Sequence, residues 1–288
     1  MNKRFHKYSR KKLSRREPPN FLGQHFMHNQ QAIHEMVRRI KLGKANTVLE
    51  LGAGKGALTT VLCKRAGKIL AVEYDDNLVA ALKQRTAQYS NLVIIHNDIL
   101  GIRLPREPFV VVSNIPYAIT TPIMKMLLNK PSNGFQRGMI VMEYGTAKRF
   151  TSKFIKNDYV FVWKMWFDIR YVRKISRDSF FPRPRVDSAM VKITRKKEPV
   201  IPYRDGKAFY GLAHFALKNP HFPIEMALSG IFTKPQIKML KRKLRIRSEK
   251  PIGTLNEYDW GIIFQTMVQY VPRARWPRTP KKRWFEVL

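Results

Sequence analysis

Between residues 47 and 143 the chain alternates short apolar runs with segments of helical period, and this alternation restricts its fold more than any other feature. The runs at 47–51, 68–73, 91–96, 109–113 and 138–143 are predicted strands. Helices are predicted between them at 58–65, 77–88 and 122–129. Strand–helix alternation of this kind closes into an open, mostly parallel sheet with helices on both faces. "HNQQAIHEMVRRIKL" precedes it with Ile33, Met36, Val37 and Ile40 on one helical face. "YVFVWKMWFDIRYV" (159–172) and "SAMVKITR" (188–195) read as two further strands, joined by the loop "SFFPRPRVDS", making seven. The alternation stops near Thr194, Pro199 and Pro202 mark a linker, and only helical patterns follow, in "KAFYGLAHFALK", "KPQIKMLKRKL" and "EYDWGIIFQTMVQYV". The expected organisation is a basic flexible arm (1–19), an α/β Rossmann-like domain (20–195), a small all-α C-terminal domain (196–271) and a basic tail (272–288).

Chemistry-bearing residues fall at the carboxyl ends of the predicted strands, the edge where open α/β sheets bind ligands. "ELGAGKG" places Gly52, Gly54 and Gly56 between a strand and a helix, where glycine permits a sharp turn and close approach of a ligand to backbone. The spacing Gly-x-Gly-x-Gly is not the dinucleotide fingerprint, and no lysine followed by Ser or Thr makes it a triphosphate loop. Glu73 ends the second strand, suited to ribose hydroxyls; Asp98 ends the third, suited to an adenine amino group; Asn114 ends the fourth. Taken singly, each acid is equally a turn residue or a helix cap. Four in order are not coincidence.

Charge identifies the partner class. The 288 residues hold 55 Lys and Arg against 20 Asp and Glu, a formal +35, and such self-repulsion is suited to a polyanion, with nucleic acid first and a membrane surface second. No apolar stretch reaches membrane-spanning length, and the basic N-terminus lacks the apolar run of a secretory signal. The single cysteine, Cys63, excludes an internal disulfide and a cysteine-rich zinc site, which suits a reducing cytoplasm. No metal is expected, and the chain is read as a monomer that does not contact a membrane.

The remaining motif is "VVSNIPYAIT" (111–120), a buried strand stopped by an amide, a proline and an aromatic. With "GQHFM" (23–27), "ELGAGKG" (50–56), "VEYD" (72–75), "NDIL" (97–100), "NIPY" (114–117) and "FFPRPRVDS" (180–188), the chain resembles the class I S-adenosylmethionine methyltransferases that act on adenine N6. It is most similar to the rRNA adenine dimethyltransferases, and among them to the Erm type that confers macrolide, lincosamide and streptogramin resistance. The resemblance covers roughly residues 20–195 and implies S-adenosyl-L-methionine as cofactor and 23S rRNA, naked or in an assembling large subunit, as partner. It implies that Gly52 contacts the cofactor, Glu73 its ribose and Asp98 its adenine, with Gly54, Gly56 and Asn114 in the same cradle. The family's Gln-Asn-Phe-Leu/Ile element has two competitors here, "PNFL" (19–22) and "GQHFM"; distance to Glu50 favours the second, which carries the contacts onto His25 and Met27, with histidine in place of asparagine.

The same resemblance makes "NIPY" the methyl-acceptor site. Adenine N6 is a poor nucleophile, because its lone pair is delocalised into the ring. Two acceptors facing its N–H groups, Asn114 Oδ1 and the Ile115 carbonyl, would favour a pyramidal nitrogen aimed at the methyl group. Pro116 makes the turn rigid, Tyr117 stacks on the extruded base, and Phe180 or Phe181 closes the other face, Phe180 being preferred by motif position. Catalysis is then by orientation, without a general base. Lys148, Arg149, Arg183 and Arg185 are the expected phosphate contacts at the rim, while Trp276 and Trp284 in the tail are placed to stack on exposed bases. Three other readings are weaker: a housekeeping 16S rRNA dimethyltransferase, a non-catalytic nucleic-acid binder on this scaffold, and a nicotinamide oxidoreductase, which leaves both the charge and "NIPY" unexplained.

Overall fold

A computed structural model describes residues 24–154, 157–246 and 249–279. The expected arm at 1–19, the competing "PNFL" stretch and Trp284 lie outside the described residues.

The elements in chain order are β1 (Phe26–Met27), α1 (Gln30–Ile40), β2 (Thr47–Leu51), α2 (Ala57–Cys63), β3 (Lys68–Glu73), α3 (Asp76–Thr86), β4 (Leu92–His96), β5 (Phe109–Asn114), α4 (Thr120–Leu128) and β6 (Phe135–Glu143). They continue with α5 (Tyr144–Thr151), α6 (Asp158–Trp166), β7 (Phe167–Ile175), β8 (Phe180–Phe181), β9 (Ser188–Arg195), α7 (Gly206–Ala216), α8 (Ile224–Leu228), α9 (Lys234–Lys243) and α10 (Glu257–Tyr270). Seven strands form one sheet in the order β4-β3-β2-β5-β6-β9-β7. β2 to β6 run parallel, whereas β9 is antiparallel to both β6 and β7. The chain reverses its direction of winding between β2 and β5, so the loops after these two strands flank the topological switch point, where such sheets bind ligands.

Side-chain alternation sorts the sheet's two faces. Leu49, Leu51 and Val111 point to one core with α4 and α6, while Val48, Val110 and Val112 point to the other with α1 and α2. The first of these cores runs without a break into the C-terminal helices. Trp166 Nε1 donates to the Ile201 carbonyl (2.9 Å), and Phe161 packs on Trp260 at 4.7 Å between ring centres. Strands end near Arg195 as expected, but the hydrophobic core continues past them.

The reading of 159–172 as one strand is corrected. Its first half is α6, and only from Phe167 onward is it strand. Val160, Phe161, Val162, Trp163, Met165 and Trp166 are all buried, because α6 is enclosed between the sheet and the C-terminal helices. A helix apolar all round shows no period, and its aromatic, β-branched composition imitates a strand. Helices α5 and α8 were not expected. Trp276 is also corrected: its indole donates to the Val271 carbonyl (2.8 Å), and Pro277 lies against Gly211 of α7, so this ring is engaged by the protein itself. Cys63 is buried and free, and burial pushes its thiol up to about 11, which leaves it unreactive. Among the described residues, no helix is long and apolar enough to cross a membrane.

Candidate active site

β2 and β5 deliver the two halves of the site to the same point. All three loop glycines have positive φ, +79° at Gly52, +55° at Gly54 and +81° at Gly56, a conformation costly for any residue with a Cβ. A methyl group at Gly52 would lie 3.6 Å from Pro116 Cδ and 3.9 Å from the Asn114 carbonyl oxygen, so the glycine loop touches the "NIPY" turn directly. At Gly54 it would meet the Phe26 ring at 2.9 Å, which makes Phe26 the cover of the loop. Gly56 differs. Its Cα faces Leu82 of α3 (2.8 Å from an added Cβ) and its N–H donates to the Ala53 carbonyl (3.0 Å). Its expected place in the cofactor cradle is therefore corrected: glycine is needed there for packing between α2 and α3.

Two buried carboxylates lie at the ends of β2 and β3, and one of them bonds the loop. Glu73 is buried, and its oxygens accept from the backbone N–H groups of Gly54 (2.8 Å), Tyr74 (2.9 Å) and Asp75 (3.1 Å). That leaves about one of its roughly four acceptor sites for a ribose hydroxyl. Glu50, which sequence reasoning noticed but gave no role, is fully buried at the end of β2, and its Oε2 has no hydrogen-bond partner. Burial, reinforced by the Glu73 carboxylate, pushes its pKa up to about 8. Asp98 sits exposed two residues beyond the end of β4, its Oδ1 accepting from Leu100 N at 2.9 Å.

At the acceptor turn, Asn114 Nδ2 donates to the backbone carbonyl of His25 at 2.8 Å. The amide is thereby oriented, and its other end, Oδ1, is buried without a partner. Such an atom costs about 1–3 kcal/mol unless something donates to it. The Ile115 side chain is buried and its N–H bonds to the Val141 carbonyl (3.1 Å), anchoring the turn to β6. Pro116 leads into a single 3-10 turn, Tyr117–Ile119, and its carbonyl accepts from Thr120 Oγ1 at 3.3 Å. The Tyr117 hydroxyl is hydrogen-bonded to Ser188 Oγ, which fixes the ring; burial raises its pKa.

A feature with no local signature joins "GQHFM" to "FFPRP". β1 and β8 pair antiparallel, Phe26 opposite Phe181 and Met27 opposite Phe180. His28 N donates to the Ser179 carbonyl (3.0 Å), and the His25 imidazole Nδ1 donates to the Pro182 carbonyl (2.7 Å). The same imidazole lies against Tyr117, with ring centres 5.4 Å apart at 42°. His25 thus reaches the acceptor site by both backbone and side chain. Met27 and Phe180 are in the core, Phe180 only 2% exposed, whereas Phe181 is 73% exposed. The expected stacking ring Phe180 therefore presents no free face here and forms the wall behind β1; the accessible ring of that motif is Phe181.

The four rim cations divide. Lys148 and Arg149 lie in the last turn of α5; Lys148 Nζ sits 5.4 Å from the Tyr171 ring centre, and Arg149 donates to Thr121 Oγ1 (3.2 Å), just past the acceptor turn. Arg183 is paired with Asp178 at 2.8 Å, and Arg185 is exposed. Among the described residues, no group of three or more His, Cys, Asp or Glu could hold a metal ion.

A seven-stranded sheet of this order, with a glycine loop and an Asn-Ile-Pro-Tyr turn meeting at its switch point, defines a Rossmann-like methyltransferase of class I. The chain belongs to the ribosomal RNA adenine dimethylase family, whose model matches residues 18–269. It is 60% identical to an rRNA adenine N-6-methyltransferase of Bacillus licheniformis over 98% of this chain and 99% of that protein. A ribosomal RNA small subunit methyltransferase A of Clostridium botulinum (strain Kyoto / Type A2) is 30% identical over 83% of this chain and 90% of its own length. The crystal structure of 23S rRNA methyltransferase ErmE superposes with a TM-score of 0.75 at 23% identity, over 85% of this chain and 100% of that one. That likeness establishes the fold.

Proposed function

We propose that this chain transfers methyl groups from S-adenosyl-L-methionine to N6 of an adenine in 23S rRNA, and that cells carrying it resist macrolide, lincosamide and streptogramin B antibiotics. The observation that carries the reading is the buried, unpartnered Oδ1 of Asn114, a residue whose backbone carbonyl borders the glycine loop. The 60% identity to a named rRNA adenine N-6-methyltransferase supports the reaction.

The residues fit the cofactor: Gly52 is the half-buried glycine of the loop, next to the acceptor turn, and the buried Glu50 carboxyl holds an oxygen without a hydrogen-bond partner. Bound there, S-adenosyl-L-methionine supplies an electrophilic methyl group on a sulfonium sulfur. Asn114 does the rest of the positioning. Because Nδ2 is committed to the His25 carbonyl, Oδ1 is the end left to accept from the adenine amino group, and that contact favours a pyramidal nitrogen with its lone pair directed. Tyr117, locked through Ser188, offers a ring for an extruded base, and Phe181 is the exposed ring across the motif.

Radiolabelled cofactor and protein-free transcripts test this. The expected result is labelled N6-methyladenine in 23S RNA at one mapped position. Label confined to 16S RNA would favour the small-subunit reading, and label in neither would overturn both.

A further inference from the structure

Glu50 is the buried acid that the methyl-transfer account leaves idle. Alternation along β2 places it on the same face as Val48, toward α1 and α2. On that face α1 buries only apolar residues, Ala32, Ile33, Met36, Val37 and Ile40, and β5 adds Val110 and Val112. From α2 come the neutral Cys63 thiol and the Thr59 hydroxyl, which favours the charged form of Glu50. From β3 comes the Glu73 carboxylate, which opposes that charge. Among the described residues, no cation forms a salt bridge with Glu50 or Glu73. Glu50 Oε2 and Thr59 Oγ1 are both buried without a hydrogen-bond partner. A neutral carboxyl beside an idle hydroxyl is a pair that can close when the carboxyl ionises.

This cluster adjoins the glycine loop. Gly52 follows Glu50 by two residues, and Glu73 accepts from Gly54 N at 2.8 Å. With a pKa of about 8, Glu50 is mostly protonated at neutral pH, and a positive charge brought close to it raises its ionised fraction. S-adenosyl-L-methionine carries a fixed positive charge on sulfur, and the thioether left after transfer has none there. A carboxyl whose ionisation is linked to charge in the cradle therefore binds the two unequally. We propose that Glu50 discriminates cofactor from spent product through its own charge. It gives its proton to solvent when S-adenosyl-L-methionine binds, with Thr59 Oγ1 donating to the anion, and takes a proton back from solvent once the methyl group has gone. The cradle then holds the sulfonium form more tightly than the thioether. The inference rests on the cofactor reading above.

Calorimetric titration of the full chain with S-adenosyl-L-methionine and, separately, with S-adenosyl-L-homocysteine tests this without turnover. Each titration is run in two buffers of different ionisation enthalpy, which counts the protons released. The sulfonium ligand should release the larger fraction of a proton. Between about pH 6.5 and about pH 8.5 its affinity should rise about tenfold more than that of the thioether, one unit of pKa being a factor of ten. The amino group common to both ligands titrates alike in the two and cancels. Glu50→Gln should make the ratio of the two affinities independent of pH. Thr59→Val removes the hydroxyl that favours the anion and should move the rise to higher pH. Equal proton release and parallel pH dependence for the two ligands in the unaltered protein would overturn the proposal, whether or not the variants fold. A Glu50→Gln protein that keeps the original difference would overturn it too. Failure of both ligands to bind at any pH would contradict the cofactor reading, and the proposal with it.

Discussion

Among single residues, Asn114 matters most. Its amide is held at one end by the His25 carbonyl and left open at the other, so it orients a substrate without any change in its own protonation. Asn114→Ala should lower single-turnover methyl transfer by about 10²-fold with cofactor affinity and melting temperature nearly unchanged, since misplacement of a reacting group costs about that much. His25 is a second positioning group. Replacing its imidazole with a methyl group in His25→Ala keeps the backbone contact to Asn114 but releases Tyr117 and the Pro182 loop, so KM for RNA should rise more than kcat falls. Glu50 also sets how stability depends on pH. Its pKa is about 8 in the fold against an ordinary 4.5, so between those values the native protein keeps a proton that the unfolded chain has lost. Stability without cofactor should therefore decline as pH rises from about 4.5 to 8, and thermal melts of Glu50→Gln should show that decline abolished.

Among the elements, the strand–loop–helix units were legible because each carries its own local signal. β2 and β3 lie where their apolar runs place them, and the glycines that end β2 mark the ligand edge. The glycines were not legible as individuals: Gly52 borders the acceptor turn, Gly54 meets Phe26, and Gly56 is held by Leu82, a distinction that depends on a helix 26 residues further along the chain. Gly56→Ala should cost about 1–3 kcal/mol of stability through backbone strain and crowding, measured by denaturant titration, while the folded fraction keeps its turnover. The β1–β8 pair was invisible in sequence for the opposite reason. Two residues against two, joined across more than 150 positions, leave no periodicity to detect, yet this pair brings Phe26, His25 and the Pro182 loop onto the site. α6 was misread because burial on every side removes the polar stripe that identifies a helix.

At the scale of the molecule, the sheet supplies the switch point, the continuous core braces it with the C-terminal helices, and the surplus of positive charge supplies affinity for RNA. The sign and size of that surplus were plain in the composition. Its placement was not, since Trp276 is occupied by the chain's own backbone. The decisive experiment is methylation mapping of 23S rRNA from cells expressing either the unaltered protein or Asn114→Ala. N6-methyladenine is expected at a single 23S position, accompanied by erythromycin resistance, with both lost in the variant. Methylation undiminished in Asn114→Ala would refute the assignment, because the group that is to orient the adenine would then be dispensable.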